Sequence, residues 1–423
     1  MLLIKNGRVV DPKSGLDARR DVLVAEDKVT QIREQIAPPE ECEVIDAAGC
    51  IVCPGLIDTH SHFRDPGFPW KEDIHTGCAA AMAGGYTCVI MMANTNPTID
   101  CPDVLSDVLT RGAQEPIHVF SAVNVTKGMR GRELTNIETL AAAGAKVLTD
   151  DGMPILREDI LAEAMQRASA LGLPVSLHEE DPAYISENGI HAGEAAAALG
   201  IGGADREAEI VMIRRDVDLA AKLGTRLVIQ HISTAEGVDL VRRARRCNPL
   251  IQAEATPHHF SLTEEAILRT GSAAKVNPPI RTEEDRLAII RGMQDGTIRF
   301  LATDHAPHSE EEKAVTPLWK APSGMIGLET ALSLAIRELV RPGYLSMSGM
   351  LAMLTCNPAD YYHLPGGELR EGGPADITIF SPDEEWVVGR HFASRSSNSP
   401  FIGETMPGVV KRTICGGKTV YSA

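Results

Sequence analysis

The sequence predicts an α/β protein whose core is a closed (β/α)8 barrel, and three observations carry that prediction. First, a short apolar run recurs eight times, at 57–63, 86–94, 117–123, 145–149, 174–179, 226–232, 251–256 and 299–304. Near-continuous apolar runs are how strands buried on both faces read. Second, alanine- and leucine-rich stretches with helical character separate the runs, among them 160–173 and 216–224. Eight strand–helix units fit a closed barrel better than an open sheet. Third, polar residues able to do chemistry sit at one end of the runs: His60, His62, Asn94, Asp151, His178, His231 and Asp304. The C-terminal ends of barrel strands converge on one mouth, so residues far apart in the chain become neighbours there.

The 423 residues fit one barrel with additions at both ends. Residues 1–52 (LLIKNGRVVD, RDVLVAEDKVTQI, CEVIDAAGCIV) and 368–423 (ADITIFSP, EWVVG, VVKRTICGGKTVYSA) share a pattern of short strands and turns. Neither end is long enough for its own core, so the two are expected to form one small composite β-sandwich beside a barrel at 53–367. The formal net charge of −17 argues against a nucleic-acid or anionic-membrane partner. A small anionic substrate is still admitted, provided the pocket is locally positive. No apolar stretch is long enough for a membrane span, and Lys5, Asn6 and Gly7 interrupt the apolar start that a secretory leader needs. Nine cysteines, an odd number, read as reduced thiols of a cytoplasmic protein. Cys50 and Cys53 form a C-x-x-C, but no second pair stands at zinc-finger spacing.

His60 and His62 are two apart on a strand, so their side chains share a face and can share a divalent metal. A lone His-x-His is also compatible with two hydrogen-bonded histidines. The same holds for His178 in PVSLHEE or His231 in LVIQHIS taken singly. Their equivalent positions in successive units favour a common role. Asp151 in LTDDG and Asp304 in LATDHAPH add carboxylates that are costly to bury unless paired or metal-bound. Four imidazoles and two carboxylates exceed what one tetrahedral zinc takes, and they suit two zinc ions sharing a carboxylate, with a single ion as the alternative.

The segments PGLIDTHSHFRDPG (54–67), MMANTNP (91–97), LTDDG (148–152), LHEE (177–180), QHIST (230–234), TPHH (256–259), KVNPPIR (275–281) and TDHAPH (303–308) together resemble the amidohydrolase superfamily. Within it the chain is similar to bacterial dihydroorotases that bridge their metals with an aspartate. The resemblance covers nearly the whole chain. It implies the reversible, zinc-dependent cyclisation of N-carbamoyl-L-aspartate to (S)-dihydroorotate, the third step of pyrimidine biosynthesis. It implies His60, His62, Asp151, His178, His231 and Asp304 as ligands, with Asp151 bridging and Asp304 also moving the proton. It implies His62, Arg64, Asn94, Asn277, His308, Pro322 and Ser323 as substrate contacts, with Arg64, Asn94 and His308 on the substrate carboxylate; Arg64, two past His62, is expected to share its strand face. Hydantoinases resemble the chain too, but bridge their metals with a carboxylated lysine. Lys146, the only lysine on that strand, lies five residues before Asp151 and should point the other way.

The segment 308–324, HSEEEKAVTPLWKAPSG, reads as a lid, with a solvated charge run at Glu310–Lys313 as the plainer interpretation. The family has Phe where this chain has Ser323. That contact is expected to run through the backbone and so to survive the exchange. Family members are commonly dimers, so by analogy a homodimer is expected, with aspartate transcarbamoylase as the candidate partner enzyme. The competing readings are another cyclic amidohydrolase, an allantoinase or hydantoinase whose substrate lacks a carboxylate for Arg64, and a non-catalytic scaffold, which would be expected to have lost metal ligands.

Overall fold

The computed structural model describes residues 1–423. Sixteen strands form two eight-stranded sheets. The N-terminal strands are β1 (Leu2–Asp11), β2 (Leu16–Ala25), β3 (Lys28–Arg33), β4 (Glu43–Asp46) and β5 (Ile51–Pro54). The barrel strands are β6 (Leu56–Ser61), β7 (Tyr86–Met91), β8 (His118–Val123), β9 (Val147–Leu148), β10 (Val175–Leu177), β11 (Leu227–Ile229), β12 (Ile251–Ala255) and β13 (Phe300–Leu301). The chain ends with β14 (Ile377–Val387), β15 (Thr405–Cys415) and β16 (Lys418–Ser422).

Strands β6 to β13 lie side by side in chain order, all parallel. Each expected run falls on one of them. The barrel strands are buried almost throughout, which is why their sequences do not alternate. Several are shorter than their apolar runs, β9 and β13 being two residues each. At their tips the chain turns into the mouth, and His231 (φ 31°) and Asp304 (φ 46°) occupy the left-handed region that non-glycine residues rarely adopt. Helices Glu158–Ala170 and Glu207–Leu223 fill the predicted segments, and the second ends on Gly224 in left-handed conformation.

The barrel closes between its first and last strands. Ser61 and His305 form a parallel bridge, and the His62 N–H donates to the His305 carbonyl at 2.8 Å. A side chain completes the seam. Buried Asp58 accepts from the Thr303 N–H at 2.9 Å and the Thr303 hydroxyl at 2.6 Å, and also from Ser61. Its carboxylate therefore substitutes for ladder hydrogen bonds where the two strands do not pair.

Both termini build the other sheet, in the order β16-β15-β14-β5-β1-β2-β3, with β4 beside β1. It is mostly antiparallel; β1 bends at a register shift between Ile4 and Gly7, pairing β4 before it and β5 after it. Its own apolar cluster has 13 buried residues, against 86 in the barrel cluster, too few to stand alone. Polar ties fix it to the barrel: Thr378 to the Gly85 carbonyl at 2.6 Å, Thr413 to the Met82 carbonyl at 2.7 Å, and His118 to Asp376 at 3.0 Å. The connection between β14 and β15 leaves the terminal sheet and returns to the barrel mouth. There Asn398 donates to the Ala306 and Gly324 carbonyls, both at 3.1 Å, and accepts from the His308 N–H. No helix is long and apolar enough to cross a membrane.

Candidate metal centre and substrate cavity

Asp151 is the geometric centre of the site. Its Oδ1 lies 3.6 Å from His60 Nε2, 3.8 Å from His178 Nδ1 and 3.7 Å from His231 Nε2, and its Oδ2 lies 3.4 Å from His62 Nε2. Asp304 Oδ1 stands 3.0 Å from His62 Nε2 and 3.6 Å from His60 Nε2. Two clusters with metal-ligand geometry result, His60–His62–Asp151 and Asp151–His178–His231, and Asp151 belongs to both. All six side chains are buried.

The outer edges of the imidazoles show how this set suits cations. His60 Nδ1 is 2.6 Å from Glu254, His178 Nε2 is 2.9 Å from Glu180, and His62 Nδ1 is 3.0 Å from the Asn94 carbonyl oxygen. Each outer partner is an acceptor, so each outer nitrogen carries a proton and the inner nitrogens are the ones turned toward Asp151, Asp304 and one another. His60 Nε2 is buried without a hydrogen-bond partner. A buried nitrogen facing a carboxylate without a hydrogen bond is costly unless positive charge, a proton or a metal ion, lies between them. Burial alone would raise Asp151, but His60, His231 and His62 hold it well below the carboxylate range. His60 moves the opposite way: burial would lower it, yet Glu254 and Asp151 raise it well above an ordinary imidazole. The chain thus gathers negative charge that calls for positive charge, which divalent ions supply while displacing the imidazole protons.

Glu254 and Glu180 were not singled out by sequence reasoning. A signal existed: Glu254 is the one charged residue in strand IQAEA, and Glu180 follows His178 by two in LHEE. Glu254→Gln is expected to weaken metal retention about 10–100-fold, the usual effect of losing a carboxylate behind a ligating histidine. Titration with a competing chelator measures this.

A cavity of about 110 Å³ opens over the cluster. Among the residues that line it are His62, Arg64, Asn94, Asp151, His178, His231, Asn277, Asp304 and Ser323, with His60 buried beneath. Arg64 reaches it from beyond β6, which ends at Ser61, so strand alternation does not place Arg64. A left-handed backbone (φ 59°) turns it inward, and a hydrogen bond to the Pro307 carbonyl at 3.2 Å holds it. The Asn277 amide oxygen is buried without a partner.

His308 and Pro322 stand one step back. His308 Nε2 lies 3.3 Å from an Arg64 terminal nitrogen and 2.9 Å from the Ser323 carbonyl, and Nδ1 faces Glu312 at 3.2 Å. Burial, then Arg64, Lys71 and Lys313, push His308 down to about 2, so it is neutral and adds no positive charge. The Pro322 carbonyl accepts from Lys313 Nζ at 2.9 Å. Two lysines that sequence reasoning passed over secure this loop. Lys313 also holds the Gly324 carbonyl, and Lys275 holds the Ala321 carbonyl at 2.7 Å and the Ser323 hydroxyl at 3.2 Å. Where an aromatic ring would pack, this chain has a hydroxyl tied to Lys275. The charge run Glu310–Lys313 forms a short helix capped by Ser309, and its Lys313 turns inward.

Lys146 points away from the site, donating to the His363 carbonyl at 3.3 Å with its ammonium 4.9 Å from the centre of the Phe120 ring. The Cys50–Cys53 pair gathers no further ligand, and all nine cysteines are free thiols.

Residues 51–420 match the amidohydrolase family. The dihydroorotase of Clostridioides difficile (strain 630) is 48% identical over 423 residues, covering 100% of both chains. That of Clostridium acetobutylicum is 49% identical over 422 residues, covering 100% of this chain and 99% of its own. Among solved structures, the L-hydantoinase (dihydropyrimidinase) of Arthrobacter aurescens superposes with a TM-score of 0.88 at 26% identity, over 100% of this chain and 96% of that one. The hydantoinase shares the architecture, while the full-length sequence matches at nearly half identity are dihydroorotases, and the chain therefore belongs to the amidohydrolase family and, within it, to the dihydroorotases.

Proposed function

We propose that this dihydroorotase interconverts N-carbamoyl-L-aspartate and (S)-dihydroorotate at the cavity above Asp151, with two zinc ions held there. The observation that carries the reading is Asp151 shared between two ligand clusters, with Arg64 and Asn94 on the wall of the same cavity. His60, His62, Asp151 and Asp304 would hold one ion, and Asp151, His178 and His231 the other. Bound zinc supplies an activated water at neutral pH and Lewis-acid polarisation of the attacked carbonyl.

The residues of the chain do the rest. Arg64 pairs with the substrate carboxylate through charge-assisted hydrogen bonds and fixes which ring carbonyl faces the cluster. Asn94 assists from the wall of the same cavity, its own orientation set by hydrogen bonds to His62 and Asp151 at 3.0 and 3.1 Å. Asn277 offers its unpartnered amide oxygen to a ring N–H. His308, held by the Ser323 carbonyl at 2.9 Å and packed beside Arg64, adds a further contact to the carboxylate site. The Ser323 hydroxyl, held by Lys275, takes the place of the aromatic contact at the mouth. Asp304 accepts a proton in the addition step and returns it to the departing ring nitrogen; in the reverse direction the order inverts.

The test is a zinc-loaded assay of dihydroorotate beside dihydrouracil and hydantoin. Turnover of dihydroorotate alone is expected. Turnover of the uncharged rings without dihydroorotate would transfer the assignment to a hydantoinase-like enzyme. Arg64→Ala is expected to raise KM about 10–100-fold, with a smaller change in kcat, because hydrogen bonds to a charged partner contribute about 1.5–3 kcal/mol. Its effect should vanish for any uncharged ring that reacts at all.

A further inference from the structure

Away from the barrel mouth, a second group of metal-binding side chains sits where the barrel meets the terminal sheet. His118 opens β8, Asp376 immediately precedes β14, and Cys415 closes β15. An imidazole nitrogen, a carboxylate oxygen and the sulfur all lie within 4.8 Å of one another. Asp376 and Cys415 are buried, and His118 is partly exposed on the wall of a cavity of about 550 Å³ that Cys415 also lines. Asp376 already accepts from the Gly416 N–H at 2.8 Å, which fixes the carboxylate and leaves its other oxygen facing His118 at 3.0 Å. The thiol lies 3.8 Å from the Thr87 carbonyl and hydrogen-bonds the Asp376 carboxylate. The carboxylate gives the pocket one negative charge, and ionised sulfur would give it two.

We propose that His118, Asp376 and Cys415 form a zinc site, with water from the adjoining cavity completing a tetrahedral set. One nitrogen, one oxygen and one sulfur suit zinc, and sulfur argues against calcium or magnesium. Binding replaces the thiol proton and the proton shared by His118 and Asp376, both released to solvent, with no change of oxidation state. The ion ties β8 of the barrel to β14 and β15 of the terminal sheet, so its role is to fasten the two bodies together. The site is independent of the reaction assigned to the mouth.

Cobalt(II) separates the two centres, because only this one contains sulfur. The whole chain is stripped with a chelator and reloaded with cobalt. A thiolate-to-cobalt charge-transfer band in the near ultraviolet is expected. C415S should lose the band and one equivalent of bound metal while keeping dihydroorotate turnover. H118Q should weaken the band without altering the fold seen by circular dichroism. Absence of the band from the wild-type protein, or its persistence in C415S, overturns the proposal. The wild-type spectrum decides the matter even if C415S folds poorly.

Discussion

Asp304→Asn should lower kcat by about 10²–10⁴-fold, the range over which a positioned acid–base group acts, while KM changes little. Burial pushes the Asp304 carboxyl up, but His62, then His60 and His231, outweigh that and hold it below the usual carboxylate range. It is therefore anionic at neutral pH and able to accept a proton. Asparagine keeps the shape and an oxygen donor toward the His60–His62 side but cannot carry the proton. Metal analysis belongs beside the kinetics, since a lost ion would mimic a lost base. Near-normal kcat in a fully metal-loaded Asp304→Asn protein would assign Asp304 a ligand role only.

Asp151→Asn should be more disruptive to the metal than any other single exchange. One carboxylate is within 3.8 Å of inner nitrogens from four histidines, on three strand tips. Neutralising it removes the one charge shared by both clusters, so both sites should weaken together, each by more than the about 100-fold that a partner behind a ligand can cost. Activity at limiting zinc should fall below one part in about 100 on the same argument. Lys146→Ala is the matched control. Its ammonium is bound at the His363 carbonyl, so metal content and turnover should stay near wild type. Loss of metal in Lys146→Ala with retention in Asp151→Asn would point to a lysine bridge and sink the aspartate assignment. Metal content per chain after dialysis reads both variants directly.

Much of this site was legible because the barrel repeats. Once strands end in His60, His178, His231 and Asp304, the closed topology alone brings their tips together. What was not legible is geometry beyond the strand ends. Arg64 reaches the cavity by a left-handed turn rather than by alternation, and residue spacing carries no record of that turn. His308, a titratable group in a polar stretch, lies beside Arg64 and close to Lys71 and Lys313. Its neutrality follows from burial, and then from Arg64 and Lys71 of another segment and Lys313 of its own. Lys313 stood in what read as a solvated charge run and Lys275 in a motif that assigned it no role, and only folding turns both onto loop carbonyls.

The sequence by itself determined the eight-unit periodicity, the chemistry gathered at one end of it and the family, because burial forces apolar runs and catalysis forces particular residue types. Tertiary structure alone decided which histidine nitrogen faces inward, through Glu254, Glu180 and Asn94. It also decided that Asp58 closes the barrel seam and that the connection between β14 and β15 buttresses the mouth. These depend on pairs up to 245 residues apart, such as Asp58 and Thr303. Hydrogen bonds of that kind are set by distance and direction in the folded chain, and no local pattern encodes them.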